Sequence, residues 1–133
     1  MARSSRPQTA AAARPGVRSP RIAELISPTI ALPGGRLCPE AVALLEAIDR
    51  EGSISGAGRA LGFSYKHAWD LVALTNKLAH ARVVEARAGG SRGGGTALTS
   101  TGRHLVQDYR TLERAIQRAA APRLATLARR VAR

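Results

Sequence analysis

Two glycines, Gly52 and Gly62, lie ten residues apart, and each is followed within two residues by a serine able to cap a helix. Glycine takes the left-handed conformation that ends a helix, and a serine hydroxyl accepts the free N–H groups that begin one. Three helices with almost no slack between them are therefore expected: one before Gly52, one between the glycines, and one from Ser64 onward. The middle helix has room for about two turns, and that brevity constrains the fold more than any other feature.

The periodicity agrees. In "PEAVALLEAIDRE", Pro39 suits a first helical turn, and Ala41, Leu44, Leu45 and Ile48 form one apolar stripe. In "SISGAGRALGF", either Ser53 or Ser55 can cap the short helix. Ile54, Ala57 and Leu61 face inward, and Gly56, Ala57, Gly58 and Ala60 are small enough to admit another helix closely. In "SYKHAWDLVALTNKLAH", Ser64 caps, and Ala68, Leu71, Val72, Thr75 and Leu78 form the buried stripe with Trp69 at its edge. If the Trp69 ring is buried, Trp69→Ala should cost roughly 3–5 kcal/mol.

The flanks of this trio read as hairpins and a last helix. Thr29–Leu32 is β-prone, Pro33-Gly34-Gly35 is a turn, and Arg36-Leu37 can pair back. Arg82–Ala88 reads as a strand, "GGSRGGG" from Gly89 as a loop, and Thr96–Leu98 as the returning strand. Thr99 caps a helix from about Ser100 to Ala120, which Pro122 should interrupt. On it, Leu105, Tyr109, Leu112, Ile116 and Ala119 recur at spacings of four and three, a narrow seam. That seam suits either a partner helix or the chain's own domain.

Helix, short helix, tight turn, longer helix, hairpin, helix is the order of a winged helix-turn-helix, mainly α with a small β-hairpin wing. A helix that reads bases must offer its N-terminal end to the major groove while its rear stays embedded. Ser64, Tyr65, Lys66 and His67 occupy that end. Lys66 can reach guanine or phosphate, and Tyr65 and Ser64 can donate to phosphate or a base edge. Asp70 can accept from a cytosine amine or pair with Lys66 one turn away. Ser53 and Ser55 lie at a helix N-terminus, which favours phosphate, although capping alone explains them. The glycine loop becomes the wing tip, with Ser91 and Arg92 at its end and Arg87 on the approach. A phosphate-binding loop would need Lys followed by Ser or Thr after the glycines, and Gly95-Thr96 lacks it. "GAGRAL" lacks the third glycine and the preceding strand of a dinucleotide fingerprint.

Charge supports a polyanionic partner. The net charge is +12, and ten of those charges come from residues 1–21 and 118–133, each with five arginines and no acid. Residues 1–24, with three prolines and no periodicity, read as a disordered basic tail, residues 25–120 as the domain, and residues 121–133 as an Arg-rich tail or short helix. The basic N-terminus lacks the apolar stretch of a secretory signal, and no run is long enough to span a membrane, so a cytoplasmic, nucleoid-associated bacterial protein is expected. One cysteine and three scattered histidines suggest neither a disulfide nor a metal site, and no cofactor is expected. No nucleophile–base pair or paired acids point to an enzyme.

"LLEAIDREGSISGAGRALGFSYKHAWDLV" followed by "VVEARAGGSRGGGTALTSTGRHLVQDYRTLE" resembles the DNA-binding domain of ModE-type molybdate-responsive regulators, relatives of the LysR-type winged helix. The marks are "GSIS", "SYKHAW", the glycine-rich wing and "LTSTG", over roughly residues 29–118. The resemblance implies a dimeric transcription factor whose third helix and wing meet duplex DNA. It also implies that the first and last helices help form the dimer, which agrees with Leu105, Tyr109, Leu112 and Ile116 as dimer residues. Family members that sense molybdate do so on additional β-barrel domains; strands for them are not expected in the residues up to Arg133, so the resemblance is expected to carry DNA binding and not molybdate sensing, with a separate sensing partner left open. The expectation is a sequence-specific DNA-binding regulator. An architectural protein holding DNA through its basic tails is the alternative, and an interaction module whose third helix meets protein is a third reading.

Overall fold

The computed structural model describes residues 26–90 and 93–132. The expected basic tail, and Ser91 and Arg92 at the wing tip, lie outside the described residues. The chain begins with a small antiparallel hairpin, β1 (Ile30–Leu32) and β2 (Gly35–Leu37), in the register Ile30 to Leu37. Three helices follow: α1 (Pro39–Glu51), α2 (Ile54–Leu61) and α3 (Tyr65–Ala79). A second antiparallel hairpin, β3 (Val84–Gly90) and β4 (Gly93–Leu98), leads into α4 (Ser100–Val131). This is a winged helix-turn-helix.

The expected punctuation is present. Gly52 and Gly62 are left-handed, with φ of 76° and 72°. Ser53 caps α2 by accepting from the Gly56 N–H, which decides between the two serines, and Ser55 is exposed in the first turn. Ser64 caps α3 by accepting from the His67 N–H at 3.0 Å. Each such cap is worth about 1 kcal/mol.

α1 is the hub of the core. Ala41, Val42, Leu44, Leu45, Ala47 and Ile48 are all buried, more than the single stripe the periodicity implied. The helix is enclosed on several sides by α2, α3, the wing and α4, and each fully buried leucine or isoleucine contributes roughly 1.5–3 kcal/mol. Ile54 and Ala57 of α2 and Ala68, Leu71 and Val72 of α3 complete the trio. A Cβ on Gly58 would lie 3.4 Å from the Ala68 Cβ, so Gly58 admits α3 closely, whereas Gly56 faces the Ser53 hydroxyl and Ala60 is exposed.

The hairpin and α4 are tied to the trio by polar contacts. Asn76 accepts from the Val83 N–H at 2.9 Å, and Thr99 donates its N–H to the Val83 carbonyl at 3.0 Å. Thr99 caps α4, accepting from Gly102, while its hydroxyl donates to the Arg82 carbonyl at 2.6 Å. Gly102 lies so near the Val83 carbonyl that a Cβ would overlap it. Further along α4, the Tyr109 hydroxyl donates to the Pro28 carbonyl at 2.6 Å, and Gln117 donates to the Ile26 carbonyl at 3.1 Å. Arg110 bridges Glu46 of α1 and Glu113, the latter at 2.8 Å. Burial first, then the Glu113 charge, raises the Tyr109 pKa above its usual value.

One expectation is corrected and one open condition is decided. α4 runs unbroken to Val131 through Pro122 instead of stopping near Ala120. Proline in a helix interior costs about 3 kcal/mol, and the strong helix formers on both sides, Ala119–Ala121 before it and Arg123, Leu124 and Ala125 after it, favour continuation. Trp69, at the edge of the buried stripe as expected, is 45 % exposed, so the condition attached to the larger Trp69→Ala cost is not met.

Candidate nucleic-acid interface

The cap at Ser64 starts α3 at the surface, and the buried residues Ala68, Leu71, Val72 and Thr75 hold it from behind. Ser64, Tyr65, Lys66 and His67 are therefore all exposed at one helix end. Tyr65 is 65 % exposed. Lys66 donates to Asp70 at 2.9 Å across one turn, so the salt bridge forms in the free chain. That hydrogen bond, with the Asp70 charge, raises the Lys66 pKa. An ammonium has three donors, so Lys66 keeps two for another acceptor while Asp70 holds it in place. The His67 ring stands edge-on to Phe63 at 5.0 Å, which orients the imidazole without burying it.

The second hairpin leans on the α1–α2 junction. The Thr96 N–H donates to the Gly52 carbonyl at 2.7 Å. A Cβ on Gly95 would overlap that same carbonyl, and one on Gly94 would come within 2.8 Å of the Arg87 carbonyl. These two loop glycines thus serve packing inside the molecule: one lets the wing dock, the other lets the hairpin close. Arg87 is exposed on β3, and its guanidinium lies beside Gly52, next to the Ser53 cap. Hence Arg87, Ser53 and Ser55 gather around the start of α2.

Between α3 and the wing runs a groove of about 370 Å³, lined by Ile54, Trp69, Val72 and Asn76 on one side and Arg82, Val84, Glu85, Ala86, Gly95 and Thr96 on the other. On the helix side it begins at Trp69, one turn beyond the exposed end of α3. Arg82 and Glu85 put one charge of each sign on it. Trp69, placed at the edge of the stripe by periodicity, is the groove residue that the sequence did not assign to the interface. The available signal was its spacing of four from Tyr65, on a helix whose core stripe was already filled.

The proposed dimer residues fall into two groups. Tyr109 is 2 % exposed, inside the chain's own core, whereas Leu112 is 43 % exposed. Leu105 and Ile116 are half-buried. Leu105 and Leu112 line an apolar cleft of about 430 Å³ between α4 and the first hairpin, with Ile30, Leu32 and Leu37 on its other wall. The four-and-three spacing therefore serves the domain at Tyr109 and leaves apolar surface at Leu112. Among the described residues, no helix is long and apolar enough to cross a membrane.

No family model matches the chain. It is 51 % identical over 80 residues to the molybdenum-pterin-binding protein MopB of Rhodobacter capsulatus, covering 60 % of this chain and 30 % of that protein. It is 43 % identical over 76 residues to the transcriptional regulator ModE of Haemophilus influenzae, covering 57 % and 30 %. It is 41 % identical over 81 residues to the DNA-binding transcriptional dual regulator ModE of Escherichia coli K12, covering 61 % and 31 %. The chain thus spans under a third of the length of these relatives.

Proposed function

We propose that this chain, a relative of the ModE-type regulators, is a sequence-specific DNA-binding transcriptional regulator that works as a homodimer. One observation carries the reading: the N-terminal end of α3 is exposed from Ser64 to His67 while its rear is buried, and a groove lined by Trp69, one turn further along, runs between the helix and the wing. A reading helix needs that combination. Lys66, steadied by Asp70, reaches a guanine edge or phosphate; Tyr65, Ser64 and His67 supply hydrogen bonds to base edges or backbone. Ser53, Ser55 and Arg87 meet a phosphate at the start of α2. Ser91 and Arg92 extend the contact from the wing tip, and the arginine-rich ends add affinity without sequence preference.

The homodimer is proposed on the cleft beside Leu105 and Leu112, where Leu32 is also 43 % exposed. A second α4 laid there would cover apolar surface that the chain leaves open, with Ile116 extending the contact. The protein acts in the bacterial cytoplasm on chromosomal DNA. The molybdenum chemistry in the relatives' names is not carried over to this chain.

The test is selection from a random duplex pool followed by gel shifts at physiological salt. The selected duplex should bind at least about 10³-fold tighter than a scrambled one. Lys66→Ala should weaken the selected complex roughly tenfold or more. Equal affinity for selected and scrambled duplexes would overturn the reading.

A further inference from the structure

We propose that Trp69, together with Tyr65, reads the 5-methyl groups of thymine in the major groove. The inference rests on the reading of α3 as a DNA-reading helix and adds to it a residue and a base. Tyr65, Trp69 and Ala73 are spaced by four along α3, so they form one row, and all three are exposed. The Tyr65 and Trp69 rings meet edge to face at 6.1 Å. They present a continuous apolar edge that the core, already supplied by Ala68, Leu71 and Val72, does not use.

The surroundings select the occupant. Lys66 shares the exposed end of α3 with Tyr65, and Arg82 lines the groove that Trp69 borders, so cationic groups flank the aromatic row. A nucleic acid fits this pattern of cations around an apolar centre. Within the major groove the apolar feature of a base edge is the thymine methyl. Phosphates call for donors, and polar base edges for donors or acceptors. Tyr65 carries a single O–H and Trp69 a single N–H, while most of their surface is hydrocarbon. Trp69 also borders the groove toward the wing. It therefore sits where the helix face and the hairpin would close around one DNA strand.

The experiment uses the full chain and the duplex selected above, with thymidine replaced by deoxyuridine one position at a time. That change deletes the methyl and leaves the hydrogen-bonding edge intact. At one or more positions the wild type should lose about fourfold in affinity, the fold-change expected for one methyl-sized group returned to water. Trp69→Ala should bind the thymidine duplex more weakly and be indifferent to the substitution, whereas Trp69→Phe should retain part of the sensitivity. Trp69 is the sole tryptophan, so its fluorescence reports directly, and duplex binding should shield it from iodide quenching. No sensitivity to deoxyuridine at any position overturns the proposal, as does sensitivity that survives unchanged in Trp69→Ala, or an indole that stays open to iodide in the complex. Uniform weakening by Trp69→Ala without a deoxyuridine effect would assign the ring to the sugar–phosphate backbone and likewise overturn it. A pool that enriches no sequence removes the underlying reading and this one with it; enrichment without a methyl effect removes this one alone.

Discussion

The two longest helices are held in opposite ways. α3 buries four residues in a run of fifteen, capped by Ser64 at one end and closed by a left-handed His80 at the other. α4 runs for 32 residues and buries only Gly102, Tyr109 and Glu113. α3 is a packed rod with one free face. α4 is a long rod pinned at a few points by Thr99, Tyr109, Arg110 and Gln117, with the rest of its stability coming from alanine-rich local propensity. The difference teaches where function is to be sought. A helix that is firmly embedded can afford exposed aromatics on its open face, because the chain does not need them to fold. A helix that is barely embedded depends on its anchors, and its open apolar residues await another surface.

The contrast can be broken most directly at the anchor. Tyr109→Ala removes a buried ring and its bond to Pro28, and should destabilise the domain by about 3–5 kcal/mol in urea denaturation. A loss below about 1 kcal/mol would mean that α4 is held elsewhere. Gly102→Ala forces a Cβ against the Val83 carbonyl, where only backbone could yield. A loss of about 1–3 kcal/mol is expected from the same measurement, and near-wild-type melting would show that the start of α4 can shift freely.

Smaller effects sharpen the other half of the comparison. Trp69→Ala should cost about 1 kcal/mol or less, because the ring is half-exposed and the core of α3 lies beneath it. A cost near that of Tyr109→Ala would place the ring in the fold after all. The smallest effect is alkaline. The Tyr109 pKa is raised above 10.0 in the folded chain, so the folded state holds that proton more tightly than the unfolded one. The resulting stability is complete below the unfolded value and is lost as pH rises through the folded value. Wild type should therefore lose slightly more stability than Tyr109→Phe as pH rises above about 10, and identical profiles would refute the assignment.

Much of the architecture was written locally. Gly52, Gly62, Ser53, Ser64 and Thr99 act on groups within a few residues of themselves, so the helix boundaries they set could be read without knowing what packs against what. The same holds for the glycine-bounded hairpin and for the Lys66–Asp70 pair, one helical turn apart. Pro122 misled because its local penalty is real, yet it is summed over a segment whose other residues favour helix.

What the tertiary structure alone decided is which face of each helix meets which neighbour. An apolar residue at the edge of a stripe has two equally good fates, and Trp69 turned outward only because α1 and α2 had already filled the space behind α3. Tyr109 turned inward because the segment at Pro28, 81 residues earlier in the chain, offers a carbonyl to its hydroxyl. Gly95 owes its missing side chain to a carbonyl of Gly52, on the far side of two helices in sequence. Caps and stops are properties of neighbouring backbone atoms, whereas burial belongs to pairs of distant segments. No periodicity along one segment contains the position of the other.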